Sequence, residues 1–170
     1  RFLDNVLDVN IYPLAEIEQN SQNVRRIGLG VMGLGHCLIK LGLKYDNTEG
    51  RRKVDQIFNF IKKKAYEAST YIAVEKGPFP SFNANKFLKS GFCSTLPKGT
   101  RAKIKEYGIR NCALLTIAPT GTTSILSSTS SGIEPVFSVG YKRRYYANQK
   151  DSNERELKEE IVIDPLFKEI

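Results

Sequence analysis

Histidine and cysteine are scarce in this chain of 170 residues, which has one histidine, His36, and three cysteines, Cys37, Cys93 and Cys112. Three scattered thiols are too few for a disulfide framework. With a single histidine beside them they offer no metal-ligand spacing, so no metal site is expected. Both facts fit a reducing, cytoplasmic compartment. Long apolar runs are absent as well. No segment approaches the roughly 18 apolar residues of a membrane span, and no signal-peptide pattern opens the chain. No internal repeat is present. Arg1 opens the chain inside an amphipathic pattern, and Ile170 closes it just after Asp164-Pro165-Leu166-Phe167, so both ends are expected to be cut.

What is present is an ordinary globular balance, 41% hydrophobic and 26% charged residues. A chain of this length can bury about 70% of its unfolded surface as one domain. The net charge of +8 points to anions: nucleotide, nucleic acid, or plain solubility. Basic clusters stand at Arg25-Arg26, Arg51-Arg52-Lys53, Lys62-Lys63-Lys64 and Lys142-Arg143-Arg144. The middle two fall on expected helices, where a solvated face is the ordinary outcome. Nucleic acid is therefore not the favoured partner.

The most informative stretch runs from Leu114 to Ser124 and on to Ser131-Gly132-Ile133-Glu134-Pro135. Ala113 to Ala118 is an apolar run that reads as a buried strand, and Pro119 ends it because proline cannot donate to a sheet ladder. A turn of small hydroxylated residues around Gly121 follows, then a short helix starting near Thr122 or Thr123. Free amides and the positive end of a helix dipole at one spot make an anion site. Gly121 would let the backbone approach closely. The simpler alternative is a Ser/Thr-rich turn that only caps the helix. The Gly-Lys-Ser/Thr ending of a P-loop is missing, which excludes a standard nucleoside triphosphatase. A helix terminus contributes about 0.3–2 kcal/mol to a bound anion, while micromolar affinity needs about 8 kcal/mol. The loop can therefore hold a phosphate only as part of a larger site.

The remaining chain reads as packing elements. Phe2–Ile11 has a short helical pattern, and Leu14–Val24 is a second short helix or an irregular connection. Gly28-Leu29-Gly30-Val31-Met32-Gly33 spells G-x-G-x-x-G, but no apolar strand precedes it, as a dinucleotide fingerprint requires. These glycines are expected at a helix start that admits a neighbouring backbone, with Met32, Leu34, Leu38, Ile39 and Leu41 buried and Gly42 ending the helix. The longest helix is expected from about Thr48 to Lys76, capped from Asp46–Thr48, with a stripe at Val54, Ile57, Phe58, Ile61, Ala65, Ala68 and Ile72. Gly77-Pro78 ends it. One helical turn is expected near Asn85–Ser90. A helix over Lys98–Ile109 follows, with Ala102, Ile104 and Tyr107 inward and Gly108 at its end. Val136–Tyr146 is a plausible strand.

Residues 114–135 resemble the substrate-diphosphate loop of the catalytic chain of ribonucleotide reductase. The wording Ala-Pro-Thr-Gly-Thr-Thr-Ser is most similar to the class II, adenosylcobalamin-dependent branch. The likeness also covers Asn10-Ile11-Tyr12-Pro13, Arg26 to Leu34, Glu75-Lys76-Gly77-Pro78-Phe79-Pro80 and Lys105 to Asn111, in matching order. The resemblance implies an α/β fold, in which this segment is a helix-rich part of a ten-stranded α/β barrel and carries two or three strands. Residues 1–170 would form a single partial domain, the C-terminal portion of that barrel, with a mobile loop at 147–160. It further implies reduction of ribonucleotides by thiyl-radical chemistry in the whole enzyme, with adenosylcobalamin as cofactor. This segment would supply only the substrate phosphate site: Pro119, Thr120, Gly121, Thr122 and Thr123.

No catalytic residue is expected here, since none of the three cysteines falls on the family's radical or reducing positions. Tyr145-Tyr146 lies too near the loop to match the class I tyrosine pair. The implied partners are a ribonucleoside di- or triphosphate and the remainder of the reductase chain. Alone, the segment is expected to be inactive. Its unpaired strand edges would invite oligomerisation. A class I reductase segment, or a non-catalytic basic module for phosphate or nucleic acid, stand as alternatives.

Overall fold

The computed structural model describes residues 1–148 and 155–169. In chain order its elements are α1 (Phe2–Val9), α2 (Ala15–Val24), α3 (Leu34–Lys40), α4 (Thr48–Lys76), α5 (Ala84–Leu88), α6 (Gly91–Ser94), α7 (Lys98–Tyr107), α8 (Gly121–Leu126), β1 (Gly140–Asn148), β2 (Arg155–Ile163) and α9 (Pro165–Glu169). They divide into two compact units. The first is Arg1–Gly30 with Asp46–Ala118, and the second is Val31–Tyr45 with Pro119–Ile170. No helix among the described residues is long and apolar enough to cross a membrane.

The first unit is built on α4, which has the expected bounds. Asn47 caps it by accepting the Gly50 amide at 2.6 Å, and Gly77 ends it at φ +82° with its amide on the Ala73 carbonyl. Apart from Gly50 in its first turn, its buried residues lie in the C-terminal half, at Tyr66, Ser69, Thr70, Ile72 and Ala73. Val54, Ile57, Phe58 and Ile61 are only half-buried, and Ala68 is exposed. Tyr66 joins Phe79, Cys93, Leu96, Ile104, Ile109 and Leu114 in one core. Full burial of a side chain such as Ile104 is worth about 1.5–3 kcal/mol. On α7 only Thr100 and Ile104 are buried, one turn apart. Ala102 and Tyr107 face outward, contrary to expectation.

Beside this apolar core lies a polar one. Asp4 is 1% exposed and accepts from Arg25 Nε at 2.9 Å, Asn111 Nδ2 at 3.0 Å and Arg110 Nε at 3.2 Å. Arg25 reaches on to Asp8 at 2.7 Å, and Lys76 lies 3.3 Å from Asp8. Asn111, fully buried, accepts from Ser69 Oγ at 2.9 Å and donates to the Arg25 carbonyl at 3.1 Å. Burial pushes the Asp4 carboxyl up, but the Arg25 and Arg110 guanidiniums outweigh it and hold the group below the usual carboxylate range. Asp8 is shifted the same way, burial again opposed and outweighed by Arg25 and Lys76.

The strand expected at Ala113–Ala118 shrinks to one parallel bridge, Leu29 with Leu115. Its hydrogen bonds run from Ile27 N to the Ala113 carbonyl, Leu29 N to Leu114, and Thr116 N to Leu29. Leu114 is buried, whereas Thr116, Ile117 and Ala118 are exposed. An extended segment needs ladders on both sides to become a central strand. Among the described residues only Ile27–Gly30 provides one. Gly28 and Gly30 therefore lie on an extended segment and not at a helix start. They do admit a neighbouring backbone: a Cβ on Gly30 would sit 2.5 Å from the Thr116 carbonyl oxygen, and one on Gly28 2.7 Å from Thr116 Cγ2.

The second unit holds α3, α8 and α9 with an antiparallel pair, β1 and β2, in register from Gly140–Ile163 to Asn148–Arg155. In α3, Leu34 and Leu38 are buried as expected, while Leu41 is exposed. The expected strand over Val136–Tyr146 is thus shifted to Gly140–Asn148. The expected loop at 147–160 is also corrected. Residues 147–148 and 155–160 are strand, and 149–154 lie outside the described residues. The pattern concealed β2 because charge replaces apolar alternation along the pair: Arg143 faces Glu160, and Arg144 faces Glu159 with Nε 2.7 Å from its carboxylate. The content is mixed helix and strand, as expected. No ten-stranded barrel closes among the described residues.

Candidate phosphate-binding loop

Pro119 through Thr123 lead into α8, and the left-handed turn there falls on Thr120 (φ +49°, ψ +30°), not on Gly121. A β-branched residue in this region is strained by roughly 1–3 kcal/mol, so its surroundings must hold it. They do so through its hydroxyl: Thr120 Oγ1 accepts the Gly132 amide at 2.8 Å. The Thr120 carbonyl accepts the Ser124 amide at 2.8 Å. Ser124 is buried, donates to the Gly121 carbonyl at 2.9 Å and lies 2.8 Å from Ser131 Oγ. Its carbonyl accepts the Thr129 amide at 3.0 Å. The bend is thus closed on itself from Thr120 to Gly132.

Simple capping fails on this geometry. Thr120 makes no side-chain cap bond to α8, because its oxygen is committed to Gly132. The amides of Gly121, Thr122 and Thr123 have no protein acceptor among the described residues, and all three residues are exposed. No protein atom lies within 4 Å of a Cβ built on Gly121. Its lack of a side chain is not demanded by packing. No lysine or arginine occurs between Arg110 and Lys142, so this bend offers an anion dipoles and hydroxyls but no formal charge.

The other glycine-rich helix start behaves oppositely. At α3 the Gly33 amide donates to the Ser130 carbonyl at 2.8 Å, Leu34 to the Gly132 carbonyl at 3.4 Å, and His36 to Ser130 Oγ at 3.2 Å. These donors are already occupied by protein, and of the α3 helix-start amides only that of Gly35, a buried residue, has no protein acceptor among the described residues. The residues that brace the bend (Ser124, Ser130, Ser131, Gly132 and His36) escaped the sequence reading as working parts.

Two cavities belong to the first unit. One of about 530 Å³ is lined by Phe2, Ile27, Leu29, Ile72 and Leu114, among others. The other, about 260 Å³, is lined by Tyr66, Cys93 and Cys112. Burial pushes the Tyr66 phenol up to about 12 and raises the Cys112 thiol, so both stay protonated and neither is an activated nucleophile. No group of three metal-ligating side chains occurs among the described residues.

Comparison with known proteins bears on the whole chain. The family model described as "Ribonucleotide reductase, barrel domain" matches residues 1–168. A vitamin B12-dependent ribonucleoside-diphosphate reductase of Mycobacterium tuberculosis (strain CDC 1551 / Oshkosh) is 38% identical over 143 residues, covering 84% of this chain and 18% of that protein. The protein of the same name from Thermoplasma acidophilum is 37% identical over 169 residues, 99% of this chain and 19% of its own length. A ribonucleoside-diphosphate reductase subunit alpha of Treponema pallidum (strain Nichols) is 34% identical over 156 residues, 88% of this chain and 18% of its own. The chain spans about a fifth of the length of the curated relatives it matches. The resemblance first seen in residues 114–135 thus holds from end to end, and the chain belongs to the ribonucleotide reductase barrel-domain family.

Proposed function

We propose that this chain is part of a ribonucleotide reductase catalytic chain, which reduces ribonucleotides to 2′-deoxyribonucleotides by thiyl-radical chemistry, and that Pro119–Thr123 cradle the substrate's phosphates. The observation that carries the reading is the contrast at α8: three consecutive amides without protein acceptors among the described residues, behind a threonine held in a strained turn. The Thr122 and Thr123 hydroxyls add donors beside them. Thr120 fixes the turn by accepting the Gly132 amide, and its hydroxyl proton remains a third donor. The substrate would be a ribonucleoside diphosphate, the class given in the relatives' names. Fixing its charged end orients the ribose toward the radical chemistry, an effect of position worth several kcal/mol in favourable cases.

For the whole enzyme we propose adenosylcobalamin, since the Mycobacterium and Thermoplasma relatives are named vitamin B12-dependent. That group supplies the initiating radical when bound. We expect none of it to be held by this segment alone. No catalytic step is assigned to Cys37, Cys93 or Cys112. A purely basic binding module is disfavoured because several of its would-be contacts are committed, Arg25 and Arg110 to Asp4 and Arg144 to Glu159.

Proline is tolerated in the first turn of a helix because its missing N–H is not needed there. Thr122→Pro in the full reductase chain therefore removes that residue's amide and hydroxyl donors and leaves α8 able to form. Loss of a hydrogen bond to a charged group costs about 1.5–3 kcal/mol, so KM for the nucleotide should rise roughly 10- to 100-fold. Thr123→Pro should act in the same direction. Unchanged steady-state kinetics for both would reject the assignment.

A further inference from the structure

His36 is the chain's only histidine, and it is buried in the second unit at 6% exposure. Its Nε2 lies 2.9 Å from the Asp164 carboxylate. A carboxylate accepts, so Nε2 carries a proton, and in the neutral ring Nδ1 is left as an acceptor. Thr129 Oγ1 stands 3.5 Å from Nδ1, on the side where a hydroxyl can donate. The His36 amide donates to Ser130 Oγ at 3.2 Å. One residue of α3 thus touches two successive residues of the bend's return limb and the carboxylate at the end of β2.

We propose that His36 is a positioning residue for the phosphate loop, holding the return limb Thr129–Gly132 so that Thr120 keeps the turn that frees the amides of Gly121–Thr123. The inference rests on the phosphate-loop reading and adds to it. The linkage is continuous in hydrogen bonds. His36 and Gly33 hold Ser130, by its hydroxyl and its carbonyl. Gly132, two residues on, donates to Thr120 Oγ1. Asp164 is itself fixed, with its amide on the Val139 carbonyl at 2.8 Å and its carboxylate accepting the Leu166 amide at 3.0 Å. The ring is therefore anchored against the base of the hairpin and steadies the loop through Thr129, while the His36 backbone amide holds Ser130. Gly33, at φ +82°, lets α3 come this close: a Cβ there would sit 2.6 Å from Thr129 Oγ1.

The test is steady-state kinetics of the full reductase chain carrying His36→Leu, His36→Gln, Thr129→Val or Ser130→Ala, with Thr122→Pro alongside. Loss of one neutral hydrogen bond corresponds to about five- to tenfold in an equilibrium constant. His36→Leu should raise KM for the nucleoside diphosphate by about that factor or more with kcat within about twofold. His36→Gln, which can still donate to Asp164, should recover much of the loss. Thr129→Val and Ser130→Ala should each raise KM in the same direction, and they decide the matter if His36→Leu does not fold. Unchanged KM in His36→Leu, or in both Thr129→Val and Ser130→Ala, while Thr122→Pro raises it, overturns the positioning role and leaves the phosphate loop standing. A fall in kcat without a rise in KM overturns it as well. Unchanged KM in Thr122→Pro overturns the phosphate loop itself, and this inference with it.

Discussion

Two small-residue turns open helices in the second unit, and they spend their amides differently. At α3 the donors of Gly33, Leu34 and His36 go to Ser130 and Gly132, and its two neighbouring glycines, Gly28 and Gly30, are pressed against Thr116. At α8 the donors of Gly121, Thr122 and Thr123 have no protein acceptor among the described residues, and the glycine faces open space. Both spell plausible anion sites. The second keeps three consecutive exposed amides without a protein acceptor among the described residues, the first only the buried one of Gly35. A glycine-rich helix start is thus an ambiguous sign until its amides are accounted for, since any buried donor must find a partner somewhere.

The largest effect should come where polar groups are most fully committed, and it sharpens the contrast from the structural side. Asp4→Ala leaves Arg25 buried without its main partner, a change that costs about 3–5 kcal/mol. Urea unfolding of the full chain should show that loss, and a loss below about 1 kcal/mol would mean the network is not holding the first unit together. Gly30→Ala comes next. Its Cβ would meet the Thr116 carbonyl oxygen, which cannot swing away as a side chain can, at a cost of about 1–3 kcal/mol. This variant should lose stability, whereas Thr122→Pro should lose substrate affinity. If Gly30→Ala were neutral for stability and raised KM, the two turns would not differ as described.

The smallest effect is one of pH. Asp4 and Asp8 are both held below the usual carboxylate range in the folded chain. Their stabilisation is therefore fully present above the unfolded value near 4 and is lost as pH falls through the lower folded values. Stability should decline below about pH 4, and Asp4→Asn should flatten that decline. An equally steep decline in Asp4→Asn would assign the acid sensitivity to other groups.

The long helix α4 was readable residue by residue because its signals are local: Asn47 at one end, Gly77 at the other, and an apolar spacing of three and four between them. Which half of it is buried was not readable, because Val54 to Ile61 carry the same pattern as the buried turns but meet no comparable cover among the described residues. The strand at Ala113–Ala118 was over-read for a related reason. Its composition suits a central strand, but only one neighbour is present among the described residues, so a single bridge forms. At β2 the misreading ran the other way, since Arg144 and Glu159 stabilise a pairing with β1 that apolar periodicity does not record.

Of the candidate site, the position of the bend and the start of α8 were legible, because proline, glycine and threonine act on the nearest residues. That Thr120 would take the left-handed turn was not, for it depends on Gly132, twelve residues away. The pairing of His36 with Asp164 spans 128 residues and leaves no mark on the local pattern. The same holds for Asp4 with Arg25 and Asn111.

The central claim is that the free amides of α8 meet the charged end of a nucleotide. Hydrogen exchange of the full reductase chain, followed by mass spectrometry with and without a ribonucleoside diphosphate, tests it most directly. Exchange should slow at Gly121, Thr122 and Thr123 on adding the nucleotide and stay unchanged at Gly33, Leu34 and His36. No slowing at Gly121–Thr123 under saturating nucleotide, or equal slowing at both turns, would contradict the account.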